Sequence, residues 1–427
     1  MHVLCVSPVF VPSVNAEAFV SAKMVMALVE AGHDVTVIRE PASVDPNLPE
    51  DASTLWQTLR DRTVDVDAPD NVRVLATLWL GLRYRSWRIY PRWIHRAVST
   101  ARGLHRERPV DVVYSRSLPM RAHIAGYWCA RALGVPWVVS INDPWDLHLF
   151  PVVVGRRRAM MKRLVSDYWL RKTLRRADAV TFPCRRLAEY HVRVSGVTRD
   201  YTVIPHIGLA REPAAREDGF HLVHAGSLGP NVLTTGRPST GLLNGLRLFF
   251  ERRVDARART TLTLIGPEDP ATVAATREAA LDDVVVSTGQ LSFEDALTRI
   301  AAADVCVLVE EDMPEGIYLP SKLADYVAAG KPVLALSPRE GTVADLMPDA
   351  GLLRADVDDA NAIAERIDEL YEAASADRLD AHRPSEELRT FFSPAGVLSR
   401  FAAALDDADI EPFDKLTVPS ETEGVDV

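Results

Sequence analysis

The sequence predicts an α/β protein made of two consecutive doubly wound, parallel-sheet units. Three observations carry this. Short apolar, β-branched runs alternate with helix-compatible stretches along most of the chain, which is the signature of parallel strands joined by helical crossovers. The alternation restarts after a polar stretch at 212–219. A length of 427 residues, at roughly 150 per domain, suits two or three separate cores.

The first unit opens with an apolar strand at 2–7, followed by a loop carrying Pro8, Pro12 and Ser13. A helix over 16–31 follows, with Val20, Met24, Ala27 and Leu28 at helical spacing and Gly32 at its C-cap; the next strand is 34–39. Further strands are expected at 111–114, 137–141, 179–182 and 202–205. In the second unit they are expected at 221–224, 261–265, 284–287, 304–310 and 332–336. The expected organisation is a first domain at 1–210, completed by a C-terminal helix at 394–407, a second at 211–393, and an acidic tail at 408–427. Ligands in such sheets bind at the carboxyl ends of the strands, here in a cleft between the units.

With 47% hydrophobic and 25% charged residues the composition is that of a globular protein, and wholesale disorder is excluded. No uncharged apolar run reaches the roughly 18–20 residues that cross a bilayer. The apolar first eighteen residues lack a basic start and are interrupted by Pro8 and Pro12, so a signal peptide is not expected. Cys5, Cys129, Cys184 and Cys306 all sit in hydrophobic contexts without CxxC spacing, which reads as buried thiols in a reducing, cytoplasmic compartment. The net charge is −10, but residues 406–427 hold eight acids and one lysine, so the other 405 residues carry only −3. Anionic partners of the folded body are therefore not excluded.

The stretch from Glu310 to Val333 reads as strand, acidic loop, helix, glycine stop and buried strand. Ser321 and Lys322 follow Pro320 at a helix N-terminus, where free N–H groups and the macrodipole attract anions. A hydroxyl and an ammonium added there make a phosphate site, suited to a diphosphate. Asp325, one turn on, could bond the vicinal hydroxyls of a ribose. The plainer alternative is a capped surface helix with an exposed ion pair.

This string resembles the donor-binding signature of the retaining glycosyltransferases of family four, in particular the subgroup with a Pro-Ser-Lys motif. That family has the GT-B fold, two facing Rossmann-like domains with a cleft between them. Other stretches fall in family order: Ala31-Gly-His-Asp-Val-Thr-Val37, Thr202-Val-Ile-Pro-His206, His224-Ala-Gly-Ser-Leu-Gly229 and Leu264-Ile-Gly266. The resemblance implies that Ser321 and Lys322 contact the donor diphosphate and that Asp325 contacts the ribose. It implies that the loop Gly226–Gly229 approaches the phosphates, with Arg237 as the candidate assisting cation; a solvated loop residue is the alternative reading of Arg237. No metal and no cofactor is implied; a UDP- or GDP-sugar would be the substrate.

The chain departs from the family pattern in three places. The usual glutamate eight positions before Asp325 is Ile317, leaving Glu315 or Glu310 as the substitute acid near the donor sugar. The first-domain loop lacks paired glycines; Asn15 and Glu17 are candidates to face the acceptor, with capping by Asn15 or Ser13 the simpler reading. Where relatives carry a histidine–aspartate pair, this chain has Asn142-Asp143, with His148 and His206 the nearest histidines. Asp143 ends a strand before Pro144 and is expected to be catalytic, Asn142 to lie on the acceptor side; a turn-forming Asn-Asp-Pro is the alternative.

Two basic stretches lie in the first domain. Residues 79–98 interleave Trp79, Tyr84, Trp87, Tyr90 and Trp93 with five arginines and no acid. Residues 156–176 hold nine Lys and Arg and only Asp167. Such interleaving suits an anionic membrane surface or a phosphorylated lipid-borne acceptor, or else a solvated helix face; no nucleic-acid motif accompanies it. The expected function is a glycosyltransferase of hexosyltransferase type, retaining by resemblance, with an unidentified acceptor. The alternatives are a GT-B nucleotide-sugar epimerase and a catalytically impaired nucleotide-sugar-binding scaffold.

Overall fold

The computed structural model describes residues 1–42, 54–67, 74–85, 90–145, 156–209, 211–212, 218–229, 236–346, 349 and 351–410. Within them are two parallel sheets. The first contains β1 (His2–Val6), β2 (Asp34–Arg39), β3 (Thr63–Asp65), β4 (Val112–Arg116), β5 (Trp137–Ser140), β6 (Ala179–Phe182) and β7 (Thr202–Val203), in the order β3-β2-β1-β4-β5-β6-β7. The second contains β8 (Phe220–Ala225), β9 (Thr260–Ile265), β10 (Val285–Gly289), β11 (Val305–Val309), β12 (Val333–Leu336) and β13 (Leu352–Ala355), in the order β10-β9-β8-β11-β12-β13. Every predicted strand is present within a few residues; β3 and β13 were not foreseen. Most of the expected linker and of the acidic tail lies outside the described residues.

The strand order reverses between β1 and β4 in one sheet and between β8 and β11 in the other. Loops leaving those strands diverge to opposite faces and open a crevice at each switch point. The central strands are buried throughout because helices cover both faces, which is why they read as continuous apolar runs.

The helix Pro394–Asp406 returns to the first sheet, where Val397, Leu398, Phe401 and Leu405 join the cluster of Val3, Cys5 and Val35. The Phe401 and Tyr114 rings lie 5.0 Å apart. The chain crosses between the units beside the helix Ser321–Ala328, and only glycine fits at position 208, where a Cβ would collide with the Ala324 carbonyl. All four cysteines are buried and free, and burial pushes the Cys5 and Cys129 thiols up to about 12. Among the described residues no helix is long and apolar enough to cross a membrane.

Phe401 is fully buried, so Phe401→Ala removes an aromatic anchor that ties the last helix to the first sheet. We expect a loss of about 3–5 kcal/mol, read as a lowered midpoint in denaturant unfolding followed by intrinsic fluorescence.

Candidate functional site

On the second-domain side, β8 ends in a turn at Gly226, whose φ of +120° suits glycine alone. A Cβ there would collide with Lys322 Nζ, so the missing side chain lets the ammonium lie against the turn. Lys322 stands at the start of the helix Ser321–Ala328, beside Ser321, and no side chain caps that N-terminus. Burial, reinforced by the Arg237 charge, lowers the Lys322 pKa to about 7. Gly229 and Arg237 exchange backbone hydrogen bonds of 2.8 and 3.0 Å, which brings Arg237 back to the cleft beside Lys322. The expected donor-side group of Gly226, Gly229, Arg237, Ser321 and Lys322 is therefore assembled in one place.

A cavity of about 160 Å³ adjoins it at the ends of β8 and β9, lined by Gly226, Leu228, Gly266, Asp269, Thr272 and Ser287 among others.

On the first-domain side, Glu17 lies in the first turn of the helix Ala16–Glu30 and accepts the Leu118 N–H at 2.7 Å. It also hydrogen-bonds Asp143, beyond the end of β5. Two carboxyls in contact hold one proton between them. Burial and then the Asp143 charge raise Glu17 well above the ordinary carboxyl range, while Arg116 opposes the rise. Burial raises Asp143 less, because Glu17 bonds it and Arg237 reaches it across the cleft. Both carboxyls are raised, so the pair as a unit keeps a proton above the ordinary carboxyl range. Arg116, at the end of β4, was not foreseen; a single arginine closing a strand carries no signal in sequence.

Several expected roles are corrected. Asn15 Oδ1 accepts the Ala18 N–H at 2.9 Å, so the side chain caps the helix instead of facing an acceptor. Asn142 is buried and braces the ends of β4 and β5, donating to Ser117 O at 2.7 Å and accepting from Ser140 Oγ at 3.1 Å. Glu315 is paired with Arg186 of the first domain at 2.8 Å, and Arg186 also holds Asp345 at 2.7 Å. Glu315 therefore belongs to an ionic contact between the units. Asp325 accepts from Lys23 Nζ at 2.5 Å and from the Leu209 N–H at 3.1 Å. A carboxylate on so short a side chain reaches the crossing chain beside it, and the expected ribose contact has a competitor. His206 is buried and held neutral, at about 3, so it supplies no cation; His148 lies outside the described residues.

The acidic loop supplies the other expected acid, Glu310, and two groups that were not foreseen. Glu310 is buried and raised to about 8 by desolvation, against the pull of Arg237. Glu311, whose side chain is 10% exposed, approaches Arg237 at 4.0 Å, and its Oε2 has no partner among the described residues. Tyr318 Oη is likewise buried without a partner, and burial beside Asp143 and Glu311 raises its pKa. Two unpaired polar atoms thus flank Arg237 and Asp143. Groups so placed cost free energy unless a ligand supplies hydrogen bonds.

Two family models match the chain: a glycosyl transferase 4-like domain over residues 18–206 and glycosyl transferases group 1 over residues 229–373. A curated relative, the probable glycosyltransferase WbjE of Pseudomonas aeruginosa, is 24% identical over 274 residues, 62% of this chain and 68% of that protein. Among solved structures, the sucrose-phosphate synthase of Thermosynechococcus elongatus aligns with a TM-score of 0.65 at 16% identity, covering 95% of this chain and 98% of that one. Anabaena HepE in complex with UDP and glucose gives 0.64 at 13%, covering 95% and 99%. A putative UDP-N-acetylglucosamine 2-epimerase of Listeria monocytogenes gives 0.55 at 14%, covering 95% and 96%. At these identities the structural likenesses establish the fold.

Glu17 has a raised native pKa, so the folded state loses stability as pH climbs from the unfolded value of about 4.3 towards the native one. Glu17→Gln removes that loss: we expect equal melting temperatures with wild type near pH 4 and a gain on the order of 2–4 °C by pH 8. Differential scanning calorimetry across pH checks this. Lys23→Met leaves the Asp325 carboxylate buried with one amide, for an expected cost of about 3–5 kcal/mol in denaturant unfolding.

Proposed function

The chain belongs to the GT-B glycosyltransferases, and we propose that it moves a sugar with retention from a UDP- or GDP-sugar to an acceptor held by the first domain. The observation that carries the donor reading is Lys322, an ammonium packed against a glycine turn at a helix N-terminus with Arg237 beside it. Two cations brought together repel each other, and a diphosphate relieves that repulsion. The retaining outcome rests on the Pro-Ser-Lys resemblance.

In this reading the diphosphate lies over Gly226 with Ser321, Lys322 and the helix N–H groups around it, and the nucleoside extends towards the cavity beside Asp269 and Thr272. The sugar then falls between Arg237 and Asp143, where Glu311 Oε2 and Tyr318 Oη take hydrogen bonds from its hydroxyls. As the bond to the diphosphate breaks, negative charge grows on the leaving group and is met by Lys322 and Arg237. Positive charge grows at the anomeric carbon, facing the carboxylates of the Asp143 side. These groups are in place before substrate arrives, so the contribution is positioning and a fixed field.

An ammonium at about 7 is half neutral at neutral pH, and only its charged form attracts diphosphate. Donor binding should therefore take up a proton, and affinity should fall towards about tenfold per pH unit above pH 7. Calorimetric titration of UDP and GDP in two buffers of different ionisation enthalpy measures this. Lys322→Ala should weaken binding by about 10–100-fold and abolish the uptake. Absence of binding by either nucleotide in wild type would overturn the reading. Free nucleotide released in step with a glycosylated acceptor separates transfer from epimerisation, which returns a nucleotide-sugar.

A further inference from the structure

The described parts of the two basic stretches of the first domain, about seventy residues apart in sequence, meet in one surface. Trp169 donates its indole N–H to Arg85 O at 2.9 Å, and Arg85 donates to Tyr168 Oη at 2.8 Å. These contacts join the helix Val74–Tyr84 to the helix Arg156–Arg176. On the joined face Trp79, Leu82 and Leu164 are 56%, 61% and 62% exposed, and Tyr90 and Tyr168 are exposed beside them. Together they are five of the eight large hydrophobic side chains exposed among the described residues. Cations are interleaved with them: Arg83 lies over Trp79 and Lys172 over Tyr168, while Arg121, over Tyr90 at 4.2 Å, is paired with Glu40.

We propose that this face docks on an anionic lipid bilayer. Exposed leucines and tryptophan alternating with arginine and lysine match the boundary between headgroups and acyl chains, where apolar tips insert and long cationic side chains keep their charge at the phosphate level. Charge complementarity selects the anionic surface: residues 79–98 contain no acid and 156–176 only Asp167. A second copy of the chain would set two faces of the same positive sign against each other. Single-stranded nucleic acid uses stacking rings and cations but has no use for two protruding leucines.

The face is continuous with the acceptor side of the cleft. Arg121, stacked on Tyr90, begins the helix Arg121–Leu133, and the loop before it carries Leu118, whose amide holds Glu17. Docking would therefore set the acceptor side of the cleft at the lipid surface. This rests on the transferase reading for its purpose, though not for the binding itself.

The test is co-sedimentation of the full chain with vesicles of phosphatidylcholine alone or with phosphatidylglycerol, at low and high salt, alongside wild-type UDP calorimetry. We expect binding to the anionic vesicles at low salt, weakening as salt rises, and little binding to the neutral ones. The double variant Leu82→Ser, Leu164→Ser and, separately, Arg83→Glu should each lower partition at least about tenfold, with melting temperature and UDP affinity unchanged. No anionic binding at low salt, equal binding to neutral vesicles, or undiminished binding by the variants overturns the proposal. So does sedimentation velocity showing a dimer that the variants dissolve, which would make the face a self-association surface. UDP binding without vesicle binding defeats the docking alone, and the reverse result defeats the transferase reading alone.

Discussion

The buried ion pair between Lys23 and Asp325 relates the two sheets. Lys23 is on the first helix of the first domain, Asp325 on the helix that carries Lys322, and the crossing chain threads between them, with Ile207 O accepting from Lys23 and the Leu209 N–H donating to Asp325. Each charge has left water, and only this geometry compensates it. A rigid-body shift of one domain would strand both. The distance from Asp143 to Arg237, and with it the width of the cleft, is therefore tied to a contact away from the reacting atoms.

Across that cleft the protein concentrates charge it has only partly neutralised. Arg237, beside Lys322, acts on Glu310, Glu311 and Asp143, yet its contact with Glu311 is as long as 4.0 Å. The Glu17–Asp143 pair keeps a proton, and Lys322 is held near half charge. Each of these states is costly in isolation, and a site that bears such costs is built for a guest that removes them. The interdomain ionic cluster of Arg186 with Glu315 and Asp345 is different: it is more exposed and fully paired, which is what a structural contact requires.

Much of the fold was legible because parallel strands covered on both faces are continuous apolar runs; β1, β6 and β11 are unmistakable. The two strands that escaped, β3 and β13, are short sheet edges whose sequences, Thr-Val-Asp and Leu-Leu-Arg-Ala, lack such a run. The glycine turn at Gly226 and the helix start at Ser321 and Lys322 were legible too, since they announce themselves through backbone geometry and local helix chemistry. Asn142 and Glu315 were misread, Asn15 took its capping alternative, and Asp325 met a competitor for its carboxylate, all for one reason. Each is a polar residue near the cleft in sequence whose side chain is claimed by a neighbour that sequence does not show. Glu311 and Tyr318 were overlooked because a run of acids and a tyrosine in a loop look like solvated surface until burial is known.

By itself, the sequence determined the two-sheet architecture, the helix N-terminus with its lysine, and the basic, aromatic character of two first-domain segments, all properties of local pattern. Only the tertiary structure decided that Glu17 meets Asp143, that Lys23 holds Asp325, and that the described parts of the two basic segments meet in a single face. Those are encounters between residues from tens to hundreds of positions apart. Hydrogen bonds and burial act over a few ångströms, so the partner that fixes a side chain's charge and role is named by the fold.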